Sequence, residues 1–142
     1  MAQMIFVNLP VADLPKAKAF YEAIGTVNEP KFTNEQAACM VISDTIFVML
    51  LTHPFFQGFT DKKIADARST CEVLLCISRD SREAVDAITE QAIAAGGRET
   101  RPAQDMGMMY SRSFEDPDGH IWEPMWMDAA AAEQGASAFE DA

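Results

Sequence analysis

One order of secondary structure occurs twice along this chain, and it constrains the fold more than any other feature. In the first copy, residues 4–10 have the apolar character of a strand, and Asp13 is placed to cap an amphipathic helix that ends at Gly25. Two short strands follow, at residues 37–42 and 45–51. The first copy is therefore predicted to be a β-α-β-β unit, with room for an irregular strand near Phe32.

The second copy follows a loop and repeats this order. Residues 71–77 are predicted to form a strand, and Asp80 with Glu83 three residues later predicts a capping box for the next helix, which stops at Gly96. A hairpin then joins two strands, at residues 109–115 and 120–127. The repeated order predicts two similar modules that share one core.

A tight turn joins the two strands of this hairpin. Pro117 fixes φ at the second turn position, Gly119 accepts a positive φ, and Asp116 can bond back to the turn backbone. Strand alternation after the turn places Glu123 on the same face as Ile121. Because a carboxylate among bulky apolar neighbours is costly to bury, Glu123 is the leading candidate for a functional site.

Composition excludes several classes of partner. The chain has 142 residues, of which 49% are hydrophobic, so it can bury the core of one globular domain. A net charge of −11 argues against nucleic acid or an anionic membrane as a partner, since counterion release rewards basic surfaces, and it favours a cationic ligand over an anionic one. No apolar run approaches the ~20 residues of a membrane span, and residues 1–8 lack the pattern of a signal peptide. We therefore expect a cytoplasmic protein.

The cysteines give no sign of a metal site. They are odd in number, have no metal-ligand spacing and lie in apolar segments, at Cys39, Cys71 and Cys76. We expect buried free thiols.

Three segments resemble the vicinal oxygen chelate superfamily, which includes glyoxalase I, extradiol dioxygenases and the bleomycin and fosfomycin resistance proteins. They are VNLPVADL at 7–14, AFYEAIG at 19–25 and DPDGHIWE at 116–123. The resemblance implies an α+β fold in which paired βαβββ modules with curled mixed sheets enclose a cavity, in a homodimer. It implies one glyoxalase-like domain at residues 1–128, made of module one (1–52), a linker (53–68) and module two (69–128). The segment at 129–142 is alanine-rich with scattered acids, and we expect it to be a flexible tail or a short helix.

The resemblance also implies four metal-facing positions, which map to Phe6, Met49, Glu72 and Glu123. Phenylalanine offers no donor atom and methionine only a soft thioether, so a family-type metal centre is not expected. We expect a protein that binds a small organic ligand and needs no cofactor, like the sequestering members of the family. The alternative is a glyoxalase-like lyase, isomerase or dioxygenase in which Glu72, Glu123 and a third residue such as His53 hold zinc, nickel, iron or manganese.

The roles of several residues stay open. Glu72 either faces the cavity beside Glu123, where the two form an acid–base pair, or is a solvated strand end. Phe56 belongs to an aromatic segment at residues 53–59 that is either pinned to the core or covers the cavity. The remaining expected ligand contacts are Asn8, which shares the face of Phe6, His53 as a loop contact, Tyr110 as a polar group at the cavity mouth, and Trp122, which either packs against a helix or partner subunit or stacks on the ligand.

Overall fold

The first module is a four-stranded sheet with one helix packed on it, in a computed structural model that describes residues 2–139. The sheet order is β1-β4-β3-β2, with β1 parallel to β4 and the other pairs antiparallel. A single turn of 3-10 helix at Pro30–Phe32 follows β2. The elements are β1 (Ile5–Val11), α1 (Leu14–Ala23), β2 (Val27–Glu29), β3 (Ala37–Val41) and β4 (Ile46–Thr52).

The second module repeats this topology. Its sheet order is β5-β8-β7-β6, again with the first strand parallel to the last. The short helix α2 (His53–Gln57) opens the segment between the modules, and α4 (Ala129–Gln134) follows the last strand. The elements of the module are β5 (Leu75–Ser78), α3 (Arg82–Ala94), β6 (Arg98–Asp105), β7 (Met109–Glu115) and β8 (Ile121–Met127). Two open mixed sheets with helices confirm the predicted α+β fold of paired βαβββ modules.

The structure differs from the sequence prediction in both modules. In the first, the irregular strand expected near Phe32 is instead the strand β2 followed by a turn of 3-10 helix. The strand expected at residues 71–77 is shorter and shifted, because only Leu75–Ser78 pair with β8. Ser81, rather than Asp80, caps α3, where its hydroxyl accepts a hydrogen bond from the backbone N–H of Ala84 at 3.1 Å. Strand β6 was not predicted, since its sequence RETRPAQD is polar, contains proline and lies mostly exposed at the sheet edge. Of the two readings of residues 129–142, a flexible tail or a short helix, the structure has the helix α4 at its start. The last residues, 140–142, lie outside the described part of the chain, as does Met1.

The two modules share one hydrophobic core. The apolar faces of α1 and α3 and one face of each sheet meet there, and the buried side chains come from both modules. They include Leu9, Phe20, Tyr21 and Leu50 from the first module and Ile88, Phe114 and Trp122 from the second. The opposite face of each sheet is therefore turned away from the helices. No helix within residues 2–139 is long and apolar enough to cross a membrane.

A buried hydrogen-bond network ties the modules together. The hydroxyl of Tyr21 donates to the Asp116 carboxylate at 2.6 Å and accepts from the indole N–H of Trp122 at 3.0 Å. The ring Nε2 of His120 lies 2.8 Å from the carbonyl oxygen of Pro10. Burial raises the pKa of Asp116, and burial together with Asp116 raises the pKa of Tyr21. The turn predicted from the sequence is thus also a contact between modules.

Candidate functional site

Strand alternation decides which side chains face away from the shared core. In β8, Trp122 and Pro124 are buried on the helix side, so Glu123 and its neighbours at i±2 lie on the opposite face. This placement agrees with the face predicted for Glu123. It leaves the carboxylate partly buried, with 19% of its side chain exposed.

The Glu123 carboxylate already has a cationic partner. Nη2 of Arg101 lies 3.2 Å from Oε2 of Glu123. The same Nη2 donates to the Ser111 hydroxyl at 3.3 Å. Cys76 lies opposite Glu123 in the parallel pair of β5 and β8. Burial, then the charge of Glu123, raises the pKa of the Cys76 thiol. We call these four residues the Glu123 patch.

The equivalent position in the first module is apolar. Asn8 lies opposite Met49 in the parallel pair of β1 and β4, and Cys39 lies opposite Met49 on its other side. Next to them the ring of Phe6 stacks on that of Phe47 with 4.7 Å between ring centroids. The two modules therefore present faces of different chemistry, one uncharged and one carrying an ion pair.

The register corrects two of the four mapped metal positions. Asn8 lies five residues before the N-cap Asp13, and Cys76 lies five residues before the N-cap Ser81. The structure thus pairs Asn8, not Phe6, with Met49, and Cys76, not Glu72, with Glu123. Glu72 precedes β5 and is exposed, so it does not form an acid–base pair within this sheet.

This donor set does not fit a family-type metal centre. An amide, a thioether, a thiol and a carboxylate paired with arginine offer few of the oxygen and nitrogen donors that a hard divalent ion takes. Within residues 2–139, no three side chains of the His, Cys, Asp or Glu types come close enough to hold an ion. We therefore derive no chemical step through a metal.

A cleft of about 410 Å³ lies between β1, the segment 56–75 and the start of β8. Its wall is mostly apolar, and it brings together two residues predicted to bind ligand, Asn8 and Phe56, and one predicted to act as an acid or base, Glu72. We call it the linker cleft; its lining also includes Lys62, Lys63 and Ile121.

The linker is held in place by the hairpin turn of the second module. Gly119 has φ +94°, and a Cβ there would lie 2.7 Å from the backbone of Ala67. The Arg68 guanidinium donates to the carbonyl oxygen of Pro117 at 2.9 Å. Beside the cleft is a smaller hollow of about 230 Å³ whose lining includes His53 and Asp118. The turn thereby supports the segment that covers the cleft.

Several residues predicted to contact ligand lie elsewhere. The Tyr110 hydroxyl donates to Asp86 on α3 at 2.6 Å, and Tyr110 does not line the linker cleft. Trp122 is 3% exposed and belongs to the core, which agrees with packing against a helix rather than stacking on a ligand. His53 lines the smaller hollow, and Met49 and Glu123 lie on separate sheets, outside the linker cleft.

The thiols were predicted wrongly at two positions. Cys39 is buried, whereas Cys71 and Cys76 are exposed. Both exposed cysteines lie near the start of module two, where the strand begins later than expected.

Sequence reasoning missed Arg101, Lys62 and Lys63. Arg101 lies on the unpredicted strand β6 and reaches Glu123 from 22 residues away, so no local pattern links them. The lysine pair was visible in the sequence as adjacent cations in an acidic chain, but only the fold places it at a cleft.

Comparisons with known proteins agree with this architecture. The family model for the bleomycin resistance protein-like N-terminal region matches residues 3–43. A hypothetical protein from S. aureus is similar in structure, with 25% sequence identity and a TM-score of 0.75 over 89% of this chain and 94% of the other. No curated protein sequence matches the chain.

Two further solved structures share the fold at lower identity. A glyoxalase/bleomycin resistance protein/dioxygenase family enzyme from Burkholderia phytofirmans is 19% identical, with a TM-score of 0.74 over 89% of this chain and 100% of the other. A bleomycin resistance determinant encoded on the transposon Tn5 is 18% identical, with a TM-score of 0.63 over 89% of this chain and 99% of the other. The fold that the resemblance implied is confirmed, and it is of the glyoxalase and bleomycin resistance type.

Proposed function

We propose that this chain, which has the glyoxalase and bleomycin resistance fold, binds a small organic molecule in the linker cleft and uses no family-type metal centre. The observation that carries the proposal is the cleft itself, with a volume of about 410 Å³ and a mostly apolar wall. That volume lies within the range of pockets that hold drug-sized ligands. Such a site serves to bind and sequester a ligand.

The positions of the charged groups support binding over catalysis. Glu123, the leading catalytic candidate, is neutralised by Arg101 and lies outside the cleft. Of the residues expected to act as acid and base, only Glu72 lines the cleft, and it is exposed.

Occupancy of the cleft can be tested with a neutral apolar fluorophore. N-phenyl-1-naphthylamine should bind the purified protein at one site per chain and gain fluorescence. Ala65→Trp, which adds an indole to the wall of the cleft, should weaken this binding about tenfold or more, since it fills space that the probe needs. Ala94→Trp, at an exposed position on α3, is the matched control.

Two controls and one outcome decide whether the fluorescence test contradicts binding in the linker cleft. Circular dichroism should show that both variants are folded, and Thr70→Trp provides a second filling variant in the same wall. If the probe binds wild type and all three variants equally, the ligand site is not the linker cleft.

Metal content tests the proposal that the protein uses no family-type metal centre. After dialysis against a chelator, elemental analysis should find far less than one transition metal ion per chain, because the four candidate donors suit such an ion poorly. One tightly held zinc, nickel, iron or manganese ion per chain would instead support the lyase, isomerase or dioxygenase alternative.

A further inference from the structure

We propose that the ligand of the linker cleft is an amphipathic anion, an apolar molecule that carries one acidic group. This inference rests on the proposed function and names the chemical class of the ligand. It departs from what composition favours, since a chain with a net charge of −11 attracts cations at long range. The reason is a local reversal of charge at the cleft.

Two adjacent lysines supply that reversal. Lys62 and Lys63 both line the cleft, and within residues 2–139 neither has a carboxylate within 4.0 Å. Of the five arginines of module two, four are already paired with carboxylates, at Arg82, Arg98, Arg101 and Arg112. The cleft therefore has cationic groups that are not committed to a protein partner.

Few carboxylates offset these cations. Glu72 is the one acidic side chain in the lining of the cleft. The adjoining hollow contains Asp66 and Asp118, and each accepts a hydrogen bond from a backbone N–H, of Arg68 at 3.0 Å and of Ala12 at 2.9 Å. The lining of the cleft thus carries two positive charges against one negative charge.

The backbone that carries the lysines is fixed in place. The Gln57 side-chain amide donates to the carbonyl oxygens of Thr60 at 2.9 Å and Lys62 at 2.8 Å. The backbone N–H of Lys62 donates to the Thr60 hydroxyl at 3.1 Å. Because the loop is ordered by its own hydrogen bonds, less free energy is spent on ordering it when a ligand binds.

The rest of the wall suits the apolar part of such a ligand. Phe56 and Ile121 line the cleft together with Ile64, Val73 and Leu75. Burial of apolar ligand surface against these groups supplies most of the affinity, and the two ammonium groups orient the acidic end. An uncharged ligand of the same shape would leave the lysines without a partner.

A pair of matched probes separates the two parts of the interaction. 1-Anilinonaphthalene-8-sulfonate has the same aromatic body as N-phenyl-1-naphthylamine and adds one sulfonate. The double variant Lys62→Gln/Lys63→Gln should weaken sulfonate binding by about 3- to 10-fold, as expected for two partly screened charge contacts, and should change binding of the neutral probe by less than about 2-fold. The loss should shrink as salt is raised.

The control is Lys16→Gln/Lys18→Gln, which makes the same change in net charge at two lysines of α1, one exposed and one half-buried. It should leave the affinity for both probes within about 2-fold of wild type, because neither lysine lines the cleft and salt screens charges that make no direct contact with the ligand. Equal losses in the two double variants would mean that net charge, not the cleft, attracts the anion.

The remaining outcomes distinguish this inference from the proposed function. If both probes bind in the cleft and neither responds to the Lys62 and Lys63 changes, the cleft binds ligands but does not select anions. If neither probe binds wild type, the proposed function itself fails. A neutral probe that loses as much affinity as the sulfonate would show that the lysines shape the cleft rather than recognise charge.

Discussion

At the scale of single residues, the Tyr21 hydroxyl joins the two modules through two buried hydrogen bonds. It is the donor to Asp116 and the acceptor from Trp122, and all three side chains are buried. Tyr21 lies on α1 of the first module, and its two partners belong to the second. Removal of the hydroxyl leaves a buried carboxylate short of a donor and an indole N–H short of an acceptor.

We expect Tyr21→Phe to lower the free energy of unfolding by about 2–4 kcal/mol, since two buried polar groups lose their partner at once. Tyr110→Phe is the control, because its hydroxyl also donates to a carboxylate at 2.6 Å but in a partly exposed place, and Asp86 keeps its contact with Arg112. The control should lose less than about 1 kcal/mol. Urea unfolding followed by circular dichroism measures both, and equal losses would show that the buried network does not join the modules energetically.

At the scale of elements, the hairpin turn between β7 and β8 has two tasks. It reverses the chain, and it supports the segment that covers the linker cleft. Gly119 serves both, since its φ of +94° suits the turn and its missing side chain lets the backbone of Ala67 approach. Gly107 shares only the positive φ: its φ is +80°, and a Cβ added there would meet nothing within 4 Å.

The two glycines therefore form a matched pair. Gly107→Ala should destabilise the protein by about 1–2 kcal/mol through backbone strain alone. Gly119→Ala should cost about 1–3 kcal/mol more, because the new methyl group displaces the linker. It should also weaken binding of N-phenyl-1-naphthylamine, while Gly107→Ala leaves that affinity unchanged. Identical effects of the two changes on stability and on binding would contradict the contact between the turn and the linker.

At the scale of the whole molecule, apolar side chains remain uncovered next to the first strand of each module. Ile5 and Phe6 on β1 are 56% and 48% exposed, and Val73 and Leu74 just before β5 are 54% and 55% exposed. Both strands are sheet edges. Exposed apolar groups at an unpaired edge are a common mark of an interface. We therefore propose this surface as the interface of the expected homodimer. Trp122 cannot pack against a partner subunit, because it lies in the core.

Light scattering at micromolar concentration should give twice the chain mass of 15.6 kDa. Phe6→Glu should shift the protein toward monomer, since it places a charge in the proposed interface. Ile93→Glu, at a partly exposed apolar position on α3, should leave the dimer intact. A wild-type monomer, or dissociation by both variants alike, would count against an interface at β1.

The sequence by itself determined the parts of this protein that depend on neighbours along the chain. The cap at Asp13 and the turn at Asp116–Gly119 are present as predicted, and strand β7 has both predicted ends. The cap and the turn rest on hydrogen bonds or steric limits within four residues, so residue type and spacing suffice to predict them. The strand was predicted from its residue types between two turn signals. The repeated order of elements, together with the resemblance, then led to the fold class.

Only the tertiary structure decided which residues meet. Strand β6 is polar and is held by pairing with β7, so nothing in its own sequence marks it. The neighbour of Glu123 is Cys76 instead of Glu72, because a register depends on which strands pair and not on strand propensity. Arg101 at Glu123 and Lys62 and Lys63 at the linker cleft are likewise consequences of folding. Coulombic and packing energies depend on distance in space, and a sequence gives distance only along the chain.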